Sequence, residues 1–136
     1  MSARAFLDTN ILIYALAQND PRTLTAEQLL QAGGRISVQV LNEFVSVTRR
    51  KLGLDWPDVT AALVAIRTLC GDPIALDAAV HDAGVALARQ HQLSIYDAMI
   101  VAAARSAKCE VVFSEDLQDG RKFGPDLRIE NPFAAP

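Results

Sequence analysis

Four carboxylates sit at the seams between apolar segments: Asp8 in "AFLDTNILIYAL", Glu43 in "VQVLNEFVSV", Asp97 in "SIYDAMIVAAA" and Asp116 in "VVFSEDLQDG". An ionised carboxylate beside a core is costly unless something pairs with it. No Arg or Lys adjoins Asp8, Glu43 or Asp97 in sequence. A hard divalent cation, which prefers oxygen ligands, is the simplest common partner. Several acids converging on one sheet edge would raise each other's pKa. Two metals about 3.5–4 Å apart would offset that repulsion and clamp the attacking and leaving oxygens of a phosphoryl group. The chemistry this suggests is metal-assisted hydrolysis.

Each acid also has a plainer explanation. Asp8 can cap the helix that follows it, although Thr9 and Asn10 can do the same. Glu43 neighbours Val40 and Val47 on a helical wheel whose core stripe is Leu41, Phe44, Val45, Thr48 and Leu52, so it belongs at the edge of the buried face. Asp97 follows Ser94 by three residues, as in a capping box, and suits the first turn of a helix. Asp116 shares an acidic loop with Glu115 and Asp119, and composition does not say which of the three faces inward.

The elements that must position these groups follow from periodicity and punctuation. Short strands are expected at residues 4–7, 35–37, 73–76, 111–113 and 127–129. Helices are expected at residues 10–17, 23–31, 38–52, from 56 to Cys70, from Asp77 to about His91, and from Ser94 to about Ala107. Asn19-Asp20-Pro21 marks a turn. Short β-branched runs alternating with longer helices predict an α/β fold with a mainly parallel central sheet flanked by helices. Sites in such sheets form at the carboxyl ends of strands, where strand order reverses. Asp8 and Asp116 both follow strands.

The 136 residues (1–136) are read as one domain, 51% hydrophobic, with mean hydropathy +0.17. That composition suits a dense globule and not a disordered tail. A net charge of −3 and a pI near 5.3 argue against a simple electrostatic nucleic-acid binder. Cys70 and Cys109 fit no zinc spacing and are expected to be buried thiols in a reducing cytosol. With no signal segment and no membrane-length apolar run, a soluble cytoplasmic protein is expected.

The chain resembles the PIN-domain ribonucleases, and within them the VapC-type toxins of bacterial toxin–antitoxin pairs. The matching segments are "FLDTNILIYAL", "SVQVLNEFVSV", "LSIYDAMIVAAA" and "VVFSEDLQDG", in the family's order and spanning essentially the whole chain. The resemblance implies a three-layer PIN-like fold and endonucleolytic RNA cleavage dependent on Mg2+ or Mn2+. It implies that Asp8, Glu43 and Asp97 are the core acidic ligands. Asp116 would fill the fourth, more variable acidic position, with Asp119 as a supplement. Thr9 and Ser114 would be hydroxyl neighbours that orient a ligand or a metal-bound water. It further implies an antitoxin that blocks the acidic pocket and a toxin homodimer.

No protein nucleophile is needed for such chemistry, and neither a G-x-S-x-G elbow nor a Cys–His pairing is present. His81 and His91 are expected at a surface or helix end. Basic patches for substrate grip are Arg49-Arg50-Lys51, Arg105 with Lys108, and Arg121-Lys122. A haloacid-dehalogenase-like phosphatase would place a second Asp two residues after Asp8, where this chain has Asn10. A receiver domain would want paired acids early and a Lys after a late strand. The remaining alternative is a PIN-like RNA- or protein-binding module without activity.

Overall fold

The computed structural model describes residues 4–134. Residues 1–3 and 135–136, which the single-domain expectation included, lie outside the described residues. Three short strands, β1 (Ala5–Leu7), β2 (Val111–Phe113) and β3 (Arg128–Glu130), form a parallel sheet in the order β1-β2-β3. Phe6 pairs with Val112, and Val112 with Ile129. Among the described residues, six helices accompany them: α1 (Thr9–Leu16), α2 (Thr23–Gln31), α3 (Val38–Arg50), α4 (Trp56–Cys70), α5 (Ala78–His91) and α6 (Ile95–Ser106). The expected helices are all present.

Two expected strands are reduced to single parallel bridges, Phe6 with Arg35 and Ser37 with Ile74. Their backbones still extend the sheet beyond β1: Leu7 N donates to Arg35 O over 2.8 Å, and Ile74 N to Ile36 O over 2.8 Å. Longer pairing is cut off because α3 begins at Val38, while Pro73, whose nitrogen faces away from this pair, interrupts none of its bonds. The last strand runs from Arg128 to Glu130, one residue later than expected. Leu127 O instead accepts from Phe123 N over 2.9 Å, closing a turn against β3.

β1 is therefore the reversal point. The chain leaves it toward the 35–37 segment on one side and returns as β2 on the other. Such a reversal opens a crevice at the carboxyl ends of the two diverging strands. Asp8 directly follows β1 and Ser114 directly follows β2.

Helix α6 packs against α5, and every residue from Ala98 to Ala104 is buried. Its first turn, just ahead of that run, exposes Ile95 and Tyr96 and half-buries Asp97. Helix α3 departs from the expected stripe: Gln39, Val40, Phe44 and Thr48 are buried, whereas Leu41 and Val45 are half-buried. Leu52 is exposed because α3 stops at Arg50. Cys70 and Cys109 are free, buried thiols. No helix among the described residues is long and apolar enough to cross a membrane.

Candidate active site

Asp8 is buried in the crevice with extended backbone, and its Oδ1 accepts from Thr9 N over 2.7 Å as the N-cap of α1. Its Oδ2 accepts from Ser114 Oγ over 2.7 Å and from Asn10 Nδ2 over 3.4 Å. Burial pushes the Asp8 carboxyl up to about 6, the Ser114 and Thr9 hydrogen bonds resist, and the charges of Glu43 and Asp116 add to the rise.

Glu43 lies half-buried at the edge of α3, as expected from the wheel. Thr9 Oγ1 donates to its Oε2 over 2.8 Å, and Gln39 Nε2, one turn earlier, donates to its Oε1 over 2.9 Å. Asp97 sits in the first turn of α6, where its backbone N donates to Ser94 Oγ over 3.1 Å. The cap thus uses the backbone of Asp97. Burial raises its carboxyl pKa, Ser94 lowers it, and the charges of Glu43 and Asp116 raise it further.

The loop after β2 is organised by Ser114. The buried Oγ accepts from Asp116 N over 3.1 Å and from Leu117 N over 3.2 Å while donating to Asp8. Asp116 is exposed and accepts from Asn10 Nδ2 over 3.3 Å. Glu115 points away, accepting from Tyr14 Oη over 2.8 Å and from Arg22 Nη1 over 3.2 Å. Asp119 accepts from Asn131 N over 2.9 Å, which fastens the loop to the segment after β3.

The fold brings Asp8, Glu43, Asp97 and Asp116 around one crevice, with Thr9 and Ser114 between them, and places Asp119 at the far side of the loop. The ion pairs among the described residues are Arg22 with Asp20 and Glu115, and Arg128 with Glu130. None involves the four acids. Their oxygens are hard donors, a set that fits Mg2+ or Mn2+. Among the described residues, no three acidic, histidine or cysteine side chains stand close enough together to hold a metal ion as they are placed. Donors from Thr9, Asn10 and Ser114 link Asp8, Glu43 and Asp116, and none of them reaches Asp97.

Sequence reasoning missed Asn10, Gln39, Tyr14 and Arg22 as parts of this neighbourhood. Asn10 Oδ1 accepts from Glu115 N over 3.1 Å, so one amide links both loops. Gln39 lies four residues before Glu43 on one helix, a signal that could have been read. Tyr14 and Arg22 gave none, since their partner Glu115 is distant in sequence.

The basic patches are dispersed. Arg49 Nη1 donates to Leu54 O over 2.9 Å and its guanidinium lies over the Trp56 ring. Arg121 Nη2 donates to His91 O over 2.8 Å. Arg105 ends the helix that Asp97 begins, about 12 Å away at 1.5 Å per residue. His81 is exposed, and His91 ends α5 with its ring edge-on to Phe123.

The PIN domain family model matches residues 5–119. The chain belongs to the PIN domain family. The PIN fold is also shared with solved structures. One is a toxin–antitoxin complex from Klebsiella pneumoniae, at 25% identity and TM-score 0.72, covering 96% of this chain and 99% of that one. Another is FitAcB from Neisseria gonorrhoeae, at 20% identity and TM-score 0.69, covering 96% and 99%. A third is Mycobacterium tuberculosis VapC20, described as a sarcin–ricin loop cleaving toxin, at 20% identity and TM-score 0.63, covering 82% and 89%. A comparison with curated proteins found no match. In this PIN domain, the matched residues hold all four acids of the crevice.

Proposed function

We propose that this PIN domain is an endoribonuclease dependent on Mg2+ or Mn2+, and the toxin of a toxin–antitoxin pair. The observation that carries the proposal is the crevice at the strand reversal, where Asp8, Glu43, Asp97 and Asp116 converge without an Arg or Lys partner. Asp8, Glu43 and Asp97 would hold the cation, with Asp116 as the fourth acid and Asp119 outside the crevice as a supplement. A bound cation would supply an acidified water and charge neutralisation at a backbone phosphate.

The chain's own residues keep the acids in place. Ser114 and the Thr9 amide anchor Asp8 as an acceptor, and their hydrogen bonds favour its ionised form. Thr9 and Gln39 fix the two oxygens of Glu43. Asn10 spaces Asp8 from Asp116. These donors leave the remaining carboxylate lone pairs for a cation.

The likeness to the Klebsiella complex supports an antitoxin partner. A groove of about 310 Å3 between α1, α2, α3 and α4, with Leu16 and Leu69 at its rim, offers apolar surface for one. Leu76, Ile95 and Tyr96 are exposed near the start of α5 and α6 and suit a homodimer contact. A cytoplasmic location accords with an RNA substrate.

A binding module without activity is the second reading, favoured because, among the described residues, no three acidic, histidine or cysteine side chains are placed to hold a metal ion. The deciding experiment is RNA cleavage by purified protein with Mg2+ or Mn2+, with and without EDTA, beside Asp8→Asn. Metal-dependent cleavage that Asp8→Asn abolishes is expected. Measurable metal binding without cleavage across a broad RNA panel would favour the binding module.

A further inference from the structure

The crevice itself is acidic, so an RNA strand must be held elsewhere as well. At the opposite, amino-terminal edge of the sheet lies a cleft of about 640 Å3. Its charged lining is Arg4, Arg105, Lys108 and Arg128 against Glu110 and Asp126. Four cations against two carboxylates give it a positive balance on a chain whose net charge is −3. Among the described residues, Arg4, Arg105 and Lys108 enter no ion pair, and Arg128 has only a long one to Glu130, 3.6 Å.

A second observation is independent of the cleft. Lys122 and Arg128 face each other as an antiparallel bridge, alongside backbone bonds from Ile129 N to Arg121 O and from Phe123 N to Leu127 O. Like charges directly opposite on such a pair are destabilising. The pairing is relieved when an anion lies across both. The same hairpin connects the two regions. Asp119 is tied to Asn131 near the acidic loop, and the Phe123–Leu127 turn forms a wall of the basic cleft.

We propose that Lys122, Arg128, Lys108, Arg105 and Arg4 form a backbone-binding track for single-stranded RNA, running from the acidic crevice along the 119–131 hairpin into the basic cleft. It rests on the ribonuclease reading for its biological sense but not for its test. The track supplies phosphate contacts that the crevice cannot, and these contacts carry no sequence preference.

The test is fluorescence anisotropy with a fluorescein-labelled mixed-sequence 30-nucleotide RNA, in EDTA so that no cleavage occurs. The parent is compared with Lys108→Gln/Arg128→Gln and with Arg67→Gln/Arg89→Gln, two exposed positions on α4 and α5, each checked for fold by circular dichroism. The first pair is expected to weaken binding roughly tenfold and to flatten the slope of log affinity against log salt by about 1.4, at 0.7 per phosphate contact. The second pair is expected to bind nearly as the parent does. Equal losses in both pairs, no loss in the first, or no binding by the parent would overturn the track. Absence of metal-dependent cleavage would bear on the ribonuclease reading alone, because binding is measured without metal.

Discussion

Ser114 Oγ donates to Asp8 Oδ2 over 2.7 Å, joining two residues 106 positions apart. The same oxygen accepts from Asp116 N and Leu117 N. One buried hydroxyl therefore fixes both the acid after β1 and the loop carrying the acid after β2. Ser114→Ala should cost about 1–3 kcal/mol, because it strands buried polar partners. Denaturant unfolding measures that cost. RNA cleavage should fall together with it, and full activity in the variant would mean that Asp8 and Asp116 are placed without Ser114.

Asp8 gives a pH dependence with a definite sign. Its carboxyl is raised from 3.8 to about 6, chiefly by burial. A carboxyl raised in the folded state favours folding when protonated. That contribution is fully present below pH 3.8 and is lost as the pH rises through about 6. In EDTA, the stability of the parent relative to Asp8→Asn should fall across that window and stay level above it. Adding Mg2+ at pH 7 should raise the melting temperature of the parent and leave Asp8→Asn almost unmoved. A difference between parent and variant that does not change with pH would contradict this account of Asp8.

Asp97 separates capping from chemistry. The cap bond runs from its backbone N to Ser94 Oγ, so Asp97→Asn keeps it. Ser94→Ala should lose about 1 kcal/mol of stability, as N-cap removal does. Asp97→Asn should change stability little and abolish cleavage. Thermal melts beside a cleavage assay distinguish the two. Cleavage that survives Asp97→Asn would remove Asp97 from the active set.

Gly34 lies buried against β1, where a Cβ would come within 2.7 Å of Leu7 Cγ. Leu7 is fully buried and immediately precedes Asp8, so it has little room to yield. Gly34→Ala should destabilise by about 1–3 kcal/mol through overpacking. Denaturant unfolding checks the cost, and a neutral substitution would show that β1 can shift without penalty.

Much of the site was legible as types and order. The edge position of Glu43 on α3, the cap of Ser94 on α6 and the burial of the Ala98–Ala104 run came from local periodicity and local hydrogen bonding. Neither the choice among Glu115, Asp116 and Asp119 nor the roles of Tyr14 and Arg22 could be read this way. Glu115 is turned aside by Tyr14, 101 residues away, and by Arg22, 93 residues away. Asp119 is taken by Asn131, beyond the next strand. The expected strands at 35–37 and 73–76 shrank to bridges because helix initiation at Val38 limits their pairing.

The sequence by itself determined the run of helices and strands, the acids that adjoin them and the small-residue burial of α6. These depend on interactions within a few residues: caps, apolar periodicity and chain breakers. Only the tertiary structure decided that β1 is where strand order reverses, that Thr9 reaches Glu43, that Ser114 reaches Asp8, and that Arg4, Arg105, Lys108 and Arg128 line one cleft at the opposite edge of the sheet. Those relationships join segments 34 to 106 positions apart. They are set by strand pairing and core packing, which local pattern constrains only in class.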